Sequence, residues 1–371
     1  MLEFSVLGSG SSGNAALVRS SGARILVDAG LSARQLNRRL EALGVPAETL
    51  DGILITHEHG DHVRGLDVFC RGLSLPIYCN PLTREVLRDS VRESKSWKLV
   101  QTGSSFSIND LEIETFPVAH DATDPMGFVF ASGGVRLGMF SDVGYVTNLM
   151  RSRLADCDGL FVEANYDEQL LIDDLKRPWA TKQRIQSRHG HLSNTQTAEL
   201  VAEVATTRLT RVVLGHLSQD CNEPGLAANT IRDQLVARNW ATVEVCCAGQ
   251  KEPTPLFRLE PSESGTVAEE ALMDWARAAL EGERVPLPSP EPVDAVSAES
   301  TLPDEEGFEE PAPPTPEPVA LPSGRAHSIW KEEMFSQEEL TLAPAPPKKP
   351  KRRRKKKASP AEWQEELILG G

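Results

Sequence analysis

Apolar residues come in short bursts over the first 260 positions, and turn residues separate the bursts. Bursts of about four to eight residues, rich in Val, Ile, Leu and Phe, predict strands. EFSVLG, AALVRS and ARILVDAG open the series, and the Gly/Ser loop GSGSSGN joins the first two. DGILIT, LPIYC, LEIETFPV, GFVFAS, VRLGMFSD, GLFVEA, RVVLGH, ATVEVCC and PLFRLE continue it. Helical spacing appears in SARQLNRRLEALG, where Leu36, Leu40 and Leu43 share a face, Ser32 is placed to cap the start and Gly44 to end it. Further helices are expected near 82–92, 147–154, 194–206 and 224–238. Strands dominate and helices come at intervals. Two facing sheets with helices packed outside would bury such a set, which predicts a four-layer αββα sandwich.

The pattern stops near residue 260. Beyond it Pro and Glu dominate, as in PLPSPEPVDAVSAESTLPDEEGFEEPAPPTPEPVALP. Such a stretch has too little apolar surface to offset its chain entropy. The expected organisation is a folded domain over 1–260 and a Pro/Glu-rich segment over 261–371. Within that segment KKPKRRRKKK, positions 348–357, sets nine cations in ten residues. Such a run binds polyanions through counterion release. TVAEEALMDWARAALEG aligns Ala268, Ala271, Leu272, Trp275 and Ala279, and SPAEWQEELILGG aligns Trp363, Leu367 and Ile368. Both have helical spacing, and the second would suit a partner's groove.

Charge changes the picture of the folded part. The net charge is -15; residues 1–260 carry 26 Lys/Arg against 32 Asp/Glu, and 261–371 carry 13 against 22. A generally basic nucleic-acid surface is therefore excluded for the domain. An anionic substrate would need a local positive centre, which bound metal supplies. The six cysteines show no CxxC pairing, and no apolar run nears the ~18 residues of a membrane span. Met1 opens directly into strand-like sequence, so the expected setting is reducing and cytoplasmic, with no membrane contact.

Five apolar runs end in His or Asp. Asp28 closes ILVD, His120 closes TFPVAH, Asp142 closes LGMFSD and His216 closes VVLGH. The fifth, ILIT, leads into HEHGDH, which packs His57, Glu58, His59, Asp61 and His62 into six positions. Desolvating so many polar groups is expensive unless they are paired. Strand ends open into loops at a sheet edge, where sites are usually built. His57, His59 and His120 offer one metal three nitrogens. His216 and the Asp61–His62 turn offer a second, and the Asp142 carboxylate can bridge. Nitrogen with carboxylate suits Zn²⁺, Mn²⁺ or Fe²⁺.

THEHGDH with His120, Asp142 and His216 resembles the metallo-β-lactamase fold superfamily, in its phosphodiesterase and nuclease branch. LGSGSSGN, VEANYD, HGHLSN and LGHLSQDCN resemble its YycJ/WalJ-like exonuclease group. The resemblance covers residues 1 to about 260. It implies two divalent metal ions, the first on His57, His59 and His120, the second on Asp61, His62 and His216, with Asp142 bridging. It makes Asp28 a buried acid orienting a ligand histidine; the alternative is a turn-forming Asp before Ala29-Gly30. It also implies a 5′→3′ exonuclease of double-stranded DNA linked to repair.

A dinuclear centre of this kind holds a bridging hydroxide as nucleophile at neutral pH. Asp61 is expected both to hold the second metal and to accept the hydroxide's hydrogen bond. His191 is the candidate proton donor or phosphate contact, with a local cap contact as the alternative. Ser193 is expected to cap the helix that begins at Asn194, a place where backbone N–H groups suit phosphate. Ser218 and Asn222, just past His216, are expected on the rim reading substrate, or else as ordinary turn residues. Three rivals stay open: an RNA-processing enzyme, another small phosphodiester hydrolase of the same fold, and a DNA-tethering adaptor acting through the basic run. Oligomeric state is not set by the sequence.

Overall fold

The computed structural model describes residues 1–92 and 96–261. The Pro/Glu-rich segment, its basic run at 348–357 and its two expected helices lie outside the described residues.

Strands β1 (Leu2–Gly8), β2 (Ala15–Arg19), β3 (Arg24–Val27), β4 (Gly52–Leu54), β5 (Ile77–Cys79) and β6 (Trp97–Leu99) build the first sheet. Strands β7 (Ser105–Ile108), β8 (Leu111–Pro117), β9 (Met126–Ser132), β10 (Val135–Met139), β11 (Gly159–Glu163), β12 (Arg211–Gly215) and β13 (Glu244–Cys247) build the second. The last strand, β14 (Phe257–Leu259), returns to pair antiparallel with β1, so the first sheet runs β14-β1-β2-β3-β4-β5-β6 and the second β13-β12-β11-β10-β9-β8-β7.

Three apolar layers separate four structural ones. Between the sheets lie Phe4, Val6, Ile25 and Leu54 from one side and Ile113, Phe128, Phe130, Leu137 and Val213 from the other. Outside the first sheet, Leu17, Leu26 and Ile53 pack with Leu36 and Leu40 of α1 (Ala33–Ala42) and with α3 (Leu66–Phe69). Outside the second, Val212 and Leu214 pack with α5 (Asn148–Leu154), α8 (Asn194–Val204) and α9 (Pro224–Ala237). The period of two decides which way each residue goes: Ile25 and Val27 face the other sheet, while Leu26 faces the helices. The expected four-layer αββα fold is the one observed.

Helix α1 starts where expected, with Ser32 and Gln35 forming a reciprocal capping box. The helix expected near 82–92 is shorter, α4 at Pro81–Leu87. The four-residue turn α2 (Gly60–Val63) lies inside HEHGDH itself. Besides the short turns α2 and α3, the elements absent from the sequence expectation include β6, β7, α6 (Glu168–Asp173) and α7 (Trp179–Ile185). These last four share a cause. Each buries almost nothing; Ile108 is the one buried residue of β7, and Leu171 and Lys182 are the buried ones of α6 and α7. Without an apolar face there is no period to read.

Topology sets where the strands point. β3, β4, β5 and β6 run parallel, as do β10, β11, β12 and β13. β8 is antiparallel to β9, and β9 to β10, so β8 shares the direction of β10. Parallel strands finish at one edge, and ligands bind outside their carboxyl ends. Among the described residues no helix is long and apolar enough to cross a membrane. All six cysteines are free, and burial pushes the Cys70, Cys79 and Cys157 thiols up to about 12, which suits inert packing.

Candidate metal centre

Six strand ends deliver the chemistry. Asp28 follows β3, His57 follows β4 by two residues, His120 follows β8, Asp142 follows β10, Glu163 ends β11 and His216 follows β12. Three of these residues, Asp28 (φ 59°), Asp142 (φ 56°) and His216 (φ 52°), adopt the left-handed conformation that residues with a Cβ avoid. At each the chain turns sharply off its strand.

His57, His59 and His120 each place one ring nitrogen so that all three lie within 4.8 Å of one another. His57 Nδ1 meets the Thr56 hydroxyl at 3.0 Å, and His120 Nδ1 donates to the Gly190 carbonyl at 3.1 Å. Asp142 Oδ2 lies 3.4 Å from His57 Nε2 and 2.5 Å from His62 Nε2. Its other oxygen, Oδ1, lies 2.5 Å from His216 Nδ1. Asp61 Oδ2 stands 3.6 Å from both His62 Nε2 and His216 Nε2. Ligand atoms held about 2.1 Å from a tetrahedral ion are about 3.4 Å apart, which the 3.4 and 3.6 Å separations match, while the two 2.5 Å contacts of Asp142 are hydrogen-bond distances.

Behind these residues stands a second ring of contacts. Asp28 accepts from the Thr56 backbone N–H and hydroxyl, and its Oδ2 holds His62 Nδ1 at 2.8 Å. Glu163, fully buried, takes His191 Nδ1 at 2.7 Å and His216 Nδ1 at 2.8 Å, and accepts from the Val143 N–H. Asn14, at the end of the Gly/Ser loop, donates to Asp61 Oδ2 at 3.2 Å and reaches His62 Nε2 at 3.1 Å. The Asn14 N–H donates to the Asp61 carbonyl, and Gly30 packs so close that a Cβ there would sit 1.6 Å from that oxygen. Only glycine permits this approach, which locks the loop after β3 onto α2.

Protons divide the cluster. Burial drives His57 well below the usual imidazole range, with His62 beside it adding to the effect, and burial also lowers His120. Burial opposes a charge on His62 too, but Asp142 and Asp28 outweigh it and push His62 up to about 10. His216 rises well above its ordinary value, because Asp142 at its ring outweighs burial. Asp142 is held far down by His216 and His62 despite burial, and Glu163 is lowered by His191 and His216.

The donor set fits divalent metal. His57 Nε2 and His216 Nε2 are buried with no hydrogen-bond partner among the described residues, and buried Asp142 Oδ1 has only the cluster's own imidazoles beside it. Such atoms are rare because each forfeits its solvation, and cation ligation satisfies all three. A cavity of ≈ 180 Å³ opens beside them, lined by His59, Asp61, His120, Asp142, His191 and His216 among others.

The β-lactamase superfamily domain matches this chain over residues 23–217, more than half its length. The chain belongs to the metallo-β-lactamase superfamily. Within that superfamily it belongs with the WalJ and YycJ proteins. It is 36% identical over 237 residues to exodeoxyribonuclease WalJ of Streptococcus pneumoniae, covering 63% of this chain and 88% of WalJ. It is 33% identical over 245 residues to exodeoxyribonuclease YycJ of Bacillus anthracis, covering 66% of this chain and 92% of YycJ. The metallo-β-lactamase fold protein YhfI of Bacillus subtilis matches the same fold at 17% identity with a TM-score of 0.52, over 68% of this chain and 99% of YhfI. As a member of this superfamily the chain is a metal-dependent hydrolase, and its His/Asp cluster suits divalent ions.

The structure brings together His57, His59, Asp61, His62, His120, Asp142, His191 and His216, with Asp28 behind His62. Two details refine the expectation. Asp61, His62 and His216 do not form one tight knot; the compact group around His216 is Asp142, Glu163 and His191. The polar atoms expected near substrate are also used within the fold: Ser193 is the expected helix cap, and Asn222 takes the alternative of a turn residue. Ser193 caps α8 in a capping box, and Asn194 and Asn222 pair side chain to side chain, with Asn222 also donating to the Ala164 carbonyl. Their polar atoms are spent holding α8 to the loop after β12. Ser218 accepts from the Cys221 N–H and, with Asn222, lines a separate cleft. Glu58 accepts from Thr123, away from the imidazoles. Sequence reasoning missed Glu163, although GLFVE obeys the same rule, an apolar strand closed by one ionisable residue, that singles out Asp28 and Asp142.

Proposed function

We propose that the centre holds two divalent ions, of zinc, manganese or iron, and that the chain is a 5′→3′ exonuclease of double-stranded DNA acting in repair. His57, His59 and His120 would hold the first ion, Asp61, His62 and His216 the second, with Asp142 between them. The observation that carries this reading is the pair of buried, unpartnered imidazole nitrogens on two strand ends, His57 Nε2 and His216 Nε2, with the Asp142 carboxylate between the two rings. The exodeoxyribonuclease names of WalJ and YycJ support the substrate. Bound ions would neutralise the non-bridging phosphate oxygens and bring the pKa of a water to about 7, as the dinuclear mechanism requires.

The chain's own groups do the rest. Asp61, on the cavity wall, would both hold the second ion and accept a hydrogen bond from the attacking water. His191 is tied through Nδ1 to Glu163, and that carboxylate outweighs burial to raise its pKa. A protonated imidazole on the wall suits donation to the leaving oxygen. The Pro/Glu-rich segment 261–371 would tether DNA through 348–357, concentrating substrate without adding a catalytic group. The reading places the protein in the cytoplasm, where free thiols persist.

Metal analysis and digestion of end-labelled duplex, single-stranded DNA and RNA test the proposal together. Two ions per chain and release of nucleotides from duplex 5′ ends are expected. Asp61→Asn should keep the first ion and lose about 10²–10⁴-fold in turnover. Less than one ion in folded, metal-replete protein, or digestion of RNA alone, would sink it.

A further inference from the structure

The excursion between β11 and α8 is unlike the rest of the domain. Positions 175–191 carry five Lys/Arg and no Asp/Glu, in a domain whose acids outnumber its cations. Three of the five are committed: Lys176 and Arg177 pair with Asp220, and Lys182 is buried with its ammonium on the Ile172 carbonyl. Arg184 and Arg188 remain. Arg184, on α7, lines the cavity beside His59 and His120, with a side chain 71% exposed and held by Asp121 alone. The Arg188 guanidinium lies over the Tyr145 ring, 4.2 Å from its centre, and Tyr145 is 45% exposed. Trp179, which begins α7, is 61% exposed.

This rim is fixed to the centre. Asp121 N–H donates to the His189 carbonyl, and His120 Nδ1 donates to that of Gly190. Tyr145 stands three residues after Asp142, and Gly144 between them packs onto 187–190 so closely that a Cβ would lie 2.4 Å from Gly190 N. The cations and the exposed ring are therefore held in register with the imidazoles. An exposed Arg–Asp pair is weak and easily exchanged, and a guanidinium fork matches phosphate in two bonds. An exposed aromatic face beside a cation is how single strands are held without regard to sequence.

We propose that this rim grips a nucleic-acid strand next to the centre: Arg184 exchanges Asp121 for a backbone phosphate at the cavity mouth, and the Tyr145–Arg188 stack carries an unpaired base. The proposal rests on the nuclease reading and adds that the strand end enters the cavity unpaired.

Full-length, metal-loaded protein is assayed on end-labelled DNA and on bis(p-nitrophenyl) phosphate, a diester with no second phosphate and no strand to lay along the rim. Arg184→Ala and Arg188→Ala should each raise the KM for DNA about tenfold. Arg184→Ala, which removes the one phosphate contact, should flatten the salt dependence by about 0.7 units. Tyr145→Ala should cost about tenfold in KM, and Tyr145→Phe should recover most of that loss, because stacking needs the ring and not the hydroxyl. DNA with a short single-stranded end should have a lower KM than a blunt duplex. Equal losses on DNA and on the small diester would place these residues inside the centre and overturn the proposal. Unchanged KM and salt slope on DNA would overturn it while leaving the nuclease reading intact. Hydrolysis of neither substrate by the wild-type protein would overturn the nuclease reading, and the rim with it.

Discussion

The two halves of the centre use the same side chain, histidine, and differ in what stands behind it. His57 is backed by the Thr56 hydroxyl and His120 by the Gly190 carbonyl. His62 is backed by Asp28 and His216 by Glu163. A neutral partner fixes the ring's direction; a carboxylate also makes the ring a stronger donor. Protons feel the contrast first. Burial keeps His57 and His120 neutral, whereas His62 and His216 hold theirs firmly. In the two-ion reading, one half would meet a metal ready to bind, and the other would have to release protons first.

Asp142 touches both halves, so its loss should have the largest effect. Asp142→Ala is expected to strip both ions and lower turnover by about 10³-fold or more, read by metal analysis and DNA digestion. An active variant with one full equivalent of metal would show that the halves do not share it. Glu163→Gln and Asp28→Asn should come next, weakening the carboxylate-backed ion by about 10–100-fold while the His57/His59/His120 ion stays. If competition with a chelator shows both ions weakened alike, the contrast between the halves is gone.

The pH dependence sharpens the same contrast. The His62 pKa is raised in the metal-free fold, so its charge stabilises that fold fully below the ordinary imidazole value of ~6.5. That contribution is lost as pH rises through about 10. Metal-free protein should therefore lose thermal stability from pH 7 to 10, while metal-loaded protein, with the ion in the proton's place, should not. Parallel melting curves for the two forms would disprove the assignment. The smallest effect is expected from Thr56→Val, which leaves the His57 ring without its hydroxyl: about 1 kcal/mol in stability and a few-fold in affinity for the first ion, by denaturant melts and chelator competition.

The sandwich was legible because its strands are buried and their ends are marked. Runs such as RILV and RVVLG could only be strands, and one ionisable residue after each pointed to a common edge. Glu163 escaped because its role depends on two rings from other loops, His191 and His216, and spacing along the chain cannot show that meeting. Ser193 is the cap its sequence predicts, while Asn222 left a rim contact and a turn role both open. Cap and turn residues look the same in a sequence whether they bind a ligand or hold a helix, and here a capping box and an amide pair consume their polar atoms. Helix α7 was invisible because it buries only Lys182, and a helix without an apolar stripe leaves no period.

The left-handed backbone at Asp28, Asp142 and His216 has a consequence for engineering. Each such residue costs about 1–2 kcal/mol that glycine would not. Glycine at any of the three would relieve that cost and leave an inactive enzyme, but at Asp28 and Asp142 it would also strip buried His62 of the carboxylates that hold its charge. Backbone strain and ion pairing thus pull in opposite directions at these positions, and a screen for thermal tolerance has to be paired with one for turnover to read either.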